Sequence, residues 1–302
     1  MGAIQNLQVL VYGGTGSQAR PTVTHLLERG HRPRVLTRDP RNAIELESAG
    51  ADVIIGDMSD PESLRTASEG ADAVAFLLPA FLDASADGET CGRNAIDAAR
   101  EVNVSMFAWN VSGPLPDEAS GDPRPAIFHY LQESKLPYLL LEPTTYMENW
   151  LGPWTAPSVC REDKLTYPVL ADRKIGWIAS DDIGALAAAA VERPELAGKR
   201  YNVSGVEAPT GPELAAIFSD ALGRNIGYCA MTPEEMGSVL DEAFGPGSGD
   251  RIAEMYRREQ QDPNPEPKYH DMTSVLRALP VSMTSIHQWV TRHADAFAKN
   301  GD

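Results

Sequence analysis

A glycine-rich loop that directly follows an apolar run is the feature that most constrains the fold of this chain. The run from Leu7 to Tyr12 has the β-branched, apolar character of a buried parallel strand, and Gly13, Gly14 and Gly16 follow it. Apolar residues then recur at helical spacing: Ala19, Val23, Leu26 and Leu27. The segment therefore predicts a strand, a tight turn and a helix.

The small residues of this turn, which we call the glycine loop (residues 13–19), indicate a phosphate site. Gly13 permits the tight turn, Gly16 lets the backbone approach an anion, and Ala19 allows the helix to pack close to the sheet. The start of the helix then offers backbone amides to the anion. Purely structural turns of this kind also occur, but a second strand at Pro33–Thr37 completes a βαβ unit. The predicted pyrophosphate contacts are Gly13, Thr15, Gly16, Ser17, Gln18 and Ala19.

Strand and helix patterns alternate through the first half of the chain, which predicts an α/β fold with a doubly wound parallel sheet of the Rossmann type. We expect a dinucleotide-binding domain over residues 1–150, completed by parts of 175–205, and a smaller mixed α/β lobe on the substrate side over 151–302. The predicted strands of the sheet are Leu7–Tyr12, Pro33–Thr37, Asp52–Ile55, Ala73–Leu78, Val104–Trp109 and Tyr138–Leu141.

The second half has a different pattern. Leu165–Val169 and Lys174–Ile178 predict short strands, and Ser180 opens an alanine-rich helix. Thr210 and Thr232 each precede a glutamate at capping-box spacing and predict the starts of two further helices. This half is expected to form the smaller lobe.

The net charge of −17 excludes classes of function that depend on a basic surface. Residues 1–41 carry six arginines against Glu28 and Asp39, so the basic residues concentrate around the glycine loop while the rest of the chain is strongly acidic. Contacts to phosphate backbones or anionic lipid require clustered lysine and arginine. We therefore expect no direct binding to nucleic acid and no binding to a membrane.

Several other classes are disfavoured by what the sequence lacks. Its longest apolar segment, Ile183–Val191, is too short to span a bilayer, and its start does not resemble a signal peptide. The three cysteines are far apart, and the histidines show no metal-ligand spacing, so neither a disulfide framework nor a metal site is expected. A cytoplasmic location is the resulting expectation.

Arg38 indicates which dinucleotide the loop would hold. It follows the second predicted strand, at the place where a carboxylate would accept from a ribose 2′-hydroxyl and an arginine would accommodate a 2′-phosphate. Arg38, assisted by Arg34 or Arg41, therefore favours NADP(H) over NAD(H). The alternative is that Asp39 accepts from the ribose hydroxyls and that Arg38 is a solvated surface charge.

Asp57 and Met58 follow the third predicted strand and Gly56. In this position a carboxylate could lie near the adenine amino group, with the methionine against the base. The alternative is an ordinary surface turn.

Four segments together resemble the NmrA-like branch of the atypical short-chain dehydrogenases: residues 11–19, 36–40, 56–64 and 139–149. The resemblance covers most of the chain. It implies NADP(H) bound with its pyrophosphate on the glycine loop, its 2′-phosphate on Arg38 and its adenine near Asp57 and Met58. It further implies that Leu78, Pro79 and Ala80 flank the cofactor and that the segment from Pro143 to Tyr146 faces the nicotinamide.

The chain departs from the ordinary short-chain dehydrogenases in its proton-transfer residues. No Tyr-x-x-x-Lys occurs, and alignment with the family places Arg124 where many members have the lysine and Ser120 where the tyrosine would fall. Arg124 could bind a ribose hydroxyl, but a guanidinium does not shuttle protons at neutral pH. Carbonyl reduction through a tyrosine acid is therefore not expected.

Two kinds of family member lack the dyad. Some resemble NADPH reductases of electron-poor small molecules, such as quinones, conjugated carbonyls or imines, and others resemble regulators that sense the dinucleotide and act through a protein partner. We predict the reductase and keep the sensor as the alternative; a homodimer is left open. Tyr146 is the first candidate for a proton donor or substrate contact, followed by Asn110 and Ser112. The other aromatic candidates for the pocket are Trp109, Phe128, Trp150, Trp154 and Trp177, and the alternative for each of them is a place in the core.

Overall fold

A seven-stranded sheet, parallel throughout in the order β3-β2-β1-β4-β5-β6-β8, is the centre of the fold. A separate pair, β7 and β9, is also parallel. The strands are β1 Gln8–Val11, β2 Arg32–Thr37, β3 Asp52–Ile55, β4 Ala73–Phe76, β5 Phe107–Asn110, β6 Tyr138–Pro143, β7 Lys164–Tyr167, β8 Lys199–Val203 and β9 Gly227–Ala230.

The α-helices of the first half connect the strands of the sheet in the order expected for a doubly wound fold. The helices are α1 Arg20–Glu28, α2 Ile44–Ser48, α3 Pro61–Ser68, α4 Gly88–Glu101, α5 Arg124–Ser134, α6 Ala156–Glu162, α7 Ser180–Ala190, α8 Gly211–Leu222, α9 Pro233–Phe244, α10 Asp250–Gln261, α11 Thr273–Ala278 and α12 Ile286–Arg292.

Two units make up the chain in the computed structural model, which describes residues 6–79, 87–263, 265 and 267–299. The first unit takes its residues from 1–143, 180–203 and 272–282, and contains the large sheet. The second takes its residues from 144–179, 204–271 and 283–302, and contains β7, β9 and their helices. The predicted doubly wound sheet with a smaller mixed α/β lobe is confirmed, whereas the substrate-side role of residues 151–302 stays a prediction.

Strands β1, β4 and β5 form the centre of the core of the first unit, and all of their residues are buried. Phe76 is central to it, because its ring lies 5.5 Å from that of Tyr12, 5.1 Å from that of Phe107 and 5.5 Å from that of Trp109. Phe128 is buried in the same cluster. Trp109 and Phe128 therefore pack in the core of this unit.

Aromatic side chains also form the core of the second unit. Trp150 is fully buried, and its ring centroid lies 4.7 Å from that of Trp177, 5.1 Å from that of Phe218 and 5.4 Å from that of Trp289. Trp154 is only partly buried and packs against this cluster. Trp150 and Trp177 thus hold the second unit together.

The predicted strand Lys174–Ile178 is wrong. Ile175 and Ile178 each form a single isolated bridge, the first with Lys268 and the second with Tyr146. Since the two bridges lead to different segments, with Gly176 between them, no continuous ladder can form. The predicted strand Leu165–Val169 corresponds to β7, which ends at Tyr167.

Helices α1 and α7 pack closely because Gly184 has no side chain. A Cβ at Gly184 would lie 2.6 Å from the Cβ of Pro21 and 2.7 Å from the backbone nitrogen of Thr22. The two helices are also joined by polar contacts: His25 Nε2 lies 3.1 Å from an Asp181 carboxylate oxygen. Because α1 begins directly after the glycine loop, this packing fixes the helix that supports the loop.

The contact between His25 and Asp181 gives the stability of the first unit a pH dependence. The hydrogen bond to Asp181 is the largest effect and raises the pKa of His25 above 6.5; burial opposes it, and the charges of Asp181 and Glu28 raise the pKa further. A histidine with a raised pKa in the folded state stabilises the protein fully below about pH 6.5, and this stabilisation is lost as the pH rises through the folded pKa.

We therefore expect the wild type to lose a few tenths to about 1 kcal/mol of unfolding free energy, relative to His25→Gln, between about pH 6 and pH 8.5. Urea unfolding of both proteins across this range measures the difference. A difference between the two proteins that does not change with pH contradicts the assignment.

Among the helices of the described residues, none has the length and apolar character required to traverse a lipid bilayer.

Candidate functional site

A cavity of about 450 Å³ lies in the first unit at the carboxyl ends of β1, β2, β3 and β4. This is the edge at which open α/β sheets bind ligands, and the volume is within the range of small-molecule sites. Its lining contains these predicted residues: Gly13, Thr15, Gly16, Ser17, Gln18, Arg38, Asp57, Met58 and Pro79. It also contains residues for which we predicted no cofactor contact: Leu36, Thr37, Asn42, Gly56 and Leu77, together with Asp39, which was the alternative to Arg38.

The glycine loop makes a tight turn whose shape depends on missing side chains. Gly13 has φ +71°, a left-handed conformation, and the amide of Gly16 donates to its carbonyl at 2.9 Å. A Cβ at Gly14 would lie 3.1 Å from Val35 and 3.2 Å from Val23. Gly14 therefore brings β1, β2 and α1 together, a role for which the sequence had indicated Ala19, which is also buried.

Several backbone amides of the loop remain available to a ligand. Within the part of the chain that the structure describes, the amide groups of Thr15, Ser17 and Gln18 donate to no protein acceptor, whereas those of Gly16 and Ala19 bond inside the turn. Amides that line a cavity and precede a helix form a site for an anion.

At the end of β2, Arg38 and Asp39 both line the cavity. Arg38 is exposed. The Asp39 carboxylate accepts from the backbone amide of Arg41 at 3.0 Å and from its guanidinium at 2.9 and 2.7 Å, and these bonds hold the pKa of Asp39 below its usual range. Arg34 is directed elsewhere, because its guanidinium donates to the carbonyls of Ala67 and Glu69.

Asp57 begins a compact turn at the end of β3. Its carboxylate accepts from the backbone amide of Ser59 at 2.8 Å and from the Ser59 hydroxyl at 2.7 Å, and these bonds, with a contribution from the charge of Arg38, lower the pKa of Asp57. A Cβ at Gly56 would lie 2.7 Å from Leu36, so the turn also needs glycine there. Met58 is buried beside it.

The residues after β5 contact the glycine loop. The Ser112 hydroxyl donates to the Gln18 side-chain carbonyl at 2.6 Å, and the Ser112 amide donates to Asn110 Oδ1 at 3.0 Å. Ser112 has φ +62°, an uncommon conformation for a residue with a side chain, and Asn110 is buried. The structure thus brings the predicted Asn110 and Ser112 together with Gln18.

The other predicted site residues do not line this cavity. Arg124 donates to both carboxylate oxygens of Asp122 at 2.8 Å and to the Val111 carbonyl at 3.0 Å, so it holds the start of α5 against the residues after β5. Leu78 packs against the core, and Pro143 is buried at the end of β6. Ala80 lies outside the described residues.

Tyr146 belongs to the second unit. It is buried and forms an isolated bridge with Ile178, and the amide of Met147 next to it donates to the Ile178 carbonyl at 2.9 Å. Its predicted role as a proton donor or substrate contact stays a prediction.

One signal in the sequence could have found Asn42. Asp39 and Pro40 have the pattern of a helix N-cap followed by proline at the first helical position, and Pro40–Ala43 forms a short 3₁₀ helix that carries Asn42 to the cavity wall. No local pattern predicts which way a side chain points at the end of a strand, and this applies to Leu36, Thr37 and Leu77.

In the described residues, no three histidine, cysteine, aspartate or glutamate side chains converge into a group that could hold a metal ion.

Comparisons with known proteins give consistent results. The chain matches the sequence profile of the NmrA-like family over residues 5–293. It is 30% identical to the NAD(P)H azoreductase of Xenophilus azovorans, with 82% of this chain and 86% of that protein covered. It is 26% identical to a (4-alkanoyl-5-oxo-2,5-dihydrofuran-3-yl)methyl phosphate reductase of Streptomyces griseus, with 96% and 99% covered.

The fold is shared with solved structures. The triphenylmethane reductase of Citrobacter sp., solved as a complex with NADP(H), superimposes with a TM-score of 0.77 at 21% identity, with 95% of this chain and 99% of that chain covered.

Proposed function

The chain belongs to the NmrA-like family, and from this premise we propose that it is an NADPH-dependent reductase that transfers hydride to a small, electron-poor organic acceptor. The observation that carries the proposal is one cavity that combines the unbonded amides of Thr15, Ser17 and Gln18 with the exposed Arg38 guanidinium. A dinucleotide with a pyrophosphate and a 2′-phosphate presents two anionic groups of the kind that such donors bind. The reductase names of its relatives agree with this function.

The residues of the cavity fit this cofactor. Gly13, with its left-handed backbone, and Gly16 line the cavity without side chains, so they leave room where a pyrophosphate would approach. Arg38 would bind the 2′-phosphate, while Asp57 and Met58 would lie near the adenine. When bound, NADPH supplies the hydride, and the protein supplies the orientation of the two reactants.

The class of acceptor follows from the state of the candidate proton donors. Ser112 directs its hydroxyl proton to Gln18, and Arg124 directs its guanidinium to Asp122 and the Val111 carbonyl. With no Tyr-x-x-x-Lys in the sequence, a reaction that needs a strong, dedicated acid is disfavoured. Quinones, conjugated carbonyls and imines delocalise the charge that hydride creates, so their reduction depends less on an acid. Tyr146 and Pro143 remain our candidates for contacts to the substrate and the nicotinamide.

The contacts of Ser112 and Arg124 also favour a second candidate function. If none of these side chains transfers a proton, the protein could bind NADP(H) without turnover and signal its redox state to a protein partner.

Two measurements on the purified protein test the proposal. Titration with NADPH and NADH, followed by tryptophan fluorescence and calorimetry, is expected to show binding with a preference for NADPH. Incubation with NADPH and a panel of quinones, conjugated aldehydes, imines and azo dyes is expected to consume NADPH faster than the protein-free mixture does. Absence of binding to both dinucleotides contradicts the proposal, and tight binding without consumption supports the sensor.

Gly13→Val is the matched control for these measurements. A β-branched side chain is strained at φ +71°, and its Cβ would lie 3.3 Å from the Leu77 carbonyl, so this variant is expected to lose both binding and turnover. Turnover that persists in a folded Gly13→Val preparation would show that a contaminating reductase produced it.

A further inference from the structure

In the part of the chain that the structure describes, the Asp39 carboxylate at the end of β2 is held by one neighbour, Arg41. Arg41 contacts both of its oxygens, through Nε at 2.9 and 3.0 Å and through a terminal nitrogen at 2.7 Å, and adds its backbone amide at 3.0 Å. This fork arrangement is the strongest geometry in which a guanidinium binds a carboxylate. The carboxylate is therefore committed to a partner that lies only two residues along the chain.

The position of Asp39 gives this contact a consequence for ligand choice. Asp39 and Arg38 line the same cavity, next to each other in the sequence. A carboxylate at the end of this strand can accept from the two ribose hydroxyls of NAD(H), and it repels a 2′-phosphate. Arg38 alone would thus face an opposing charge from its neighbour.

We propose that Arg41 is a positioning residue that selects NADPH over NADH by holding and neutralising the Asp39 carboxylate. The inference rests on the proposed function, since it concerns the same cavity. With Asp39 held by Arg41, its carboxylate is not presented to the ribose, and the 2′-phosphate meets Arg38 without an uncompensated negative charge beside it.

Two further charged groups near the cavity have identified partners within the protein. The Arg20 guanidinium lies 2.6 Å from the Glu45 carboxylate, and the Asp57 carboxylate accepts from Ser59. The side chain of Arg41 is 83% exposed, so it could also turn and bind the phosphate itself. The experiment has to separate these two roles of Arg41.

Four variants separate them: Arg41→Gln, Asp39→Asn, the double variant, and Arg65→Gln as a control. Arg65 pairs with Glu62 and Glu101 on the surface and does not line the cavity, so its loss removes one exposed arginine charge without changing the site. Dissociation constants for NADPH and NADH, and for the fragments 2′-phospho-ADP-ribose and ADP-ribose, are measured by fluorescence titration.

Arg41→Gln is expected to lower the preference for NADPH over NADH about tenfold, as one uncompensated like charge would. Adding Asp39→Asn is expected to restore the preference to within about threefold of the wild type, because the opposing charge is then absent. The fragments are expected to follow the same order, and Arg65→Gln is expected to keep the wild-type preference.

Two results overturn the inference. An unchanged preference in Arg41→Gln shows that holding Asp39 does not matter, and a double variant as poor as Arg41→Gln shows that Arg41 binds the phosphate directly. Both leave the proposed function intact, provided that the wild type binds NADPH. A wild-type protein that binds neither dinucleotide overturns the proposed function and this inference together.

Discussion

Replacing Arg38 by alanine is expected to raise the dissociation constant for NADPH by about 100-fold and that for NADH by less than about threefold. Arg38 is exposed at the cavity lined by the glycine loop, where it can give charge-assisted hydrogen bonds to a 2′-phosphate. A loss of this size corresponds to about 2.7 kcal/mol, which is in the range for hydrogen bonds to a charged group. Fluorescence titration with both dinucleotides at low salt measures the effect.

Two further variants show whether the geometry of the arginine matters. Arg38→Lys keeps the charge but loses the planar fork, so an intermediate loss of NADPH affinity is expected. Arg65→Ala removes an exposed arginine away from the cavity and is expected to change neither affinity. Equal losses of NADPH and NADH affinity in Arg38→Ala would remove the 2′-phosphate assignment and favour Asp39 as the ribose contact.

Gly184→Ala is expected to lower the free energy of unfolding by roughly 2–3 kcal/mol, a loss typical of overpacked sites. The new Cβ would lie 2.6 Å from the Cβ of Pro21 and 2.7 Å from the backbone of Pro21 and Thr22. Since backbone atoms cannot move aside as flexible side chains do, α7 must shift away from α1. The gain of about 1 kcal/mol in helix propensity offsets only part of this cost. Urea unfolding measures the loss.

Gly227→Ala is the matched control for this prediction. An added Cβ at Gly227 has no atom of the described chain within 4 Å, so a change within about 0.5 kcal/mol is expected. NADPH affinity should fall in Gly184→Ala and stay unchanged in Gly227→Ala, because α1 supports the glycine loop. Equal stability of the two variants would show that α1 and α7 can separate without cost.

The strands that could be predicted from the sequence are those whose local pattern matches their burial. β1, β4 and β5 are buried over their whole length and are apolar runs, so their existence follows from composition alone. β8 contains Lys199, Arg200 and Asn202, which are all exposed, and only one of its five positions is buried. As the last strand of the sheet it needs no apolar run, and pairing with β6 decides its conformation.

The candidate site divides in the same way. The glycine loop and Arg38 are local features, and both line the cavity. The bond between Ser112 and Gln18 joins residues 94 positions apart. It depends on the strand order, so no local sequence motif predicts it. The bond between Arg41 and Asp39 is local, but the conformation of so short a segment is not determined until the end of β2 is placed.

The first unit is assembled from three separate stretches of chain, and this affects how it can form during synthesis. Its strand β8 and helix α7 come from residues 180–203, and α11 comes from 272–282, where the carbonyl of Ala278 accepts from Arg193. At roughly 5–20 residues per second, a ribosome needs many seconds after completing β6 to deliver these pieces. The last strand of the large sheet is therefore made while most of the second unit is still missing, and no single cut in the gene separates the two units.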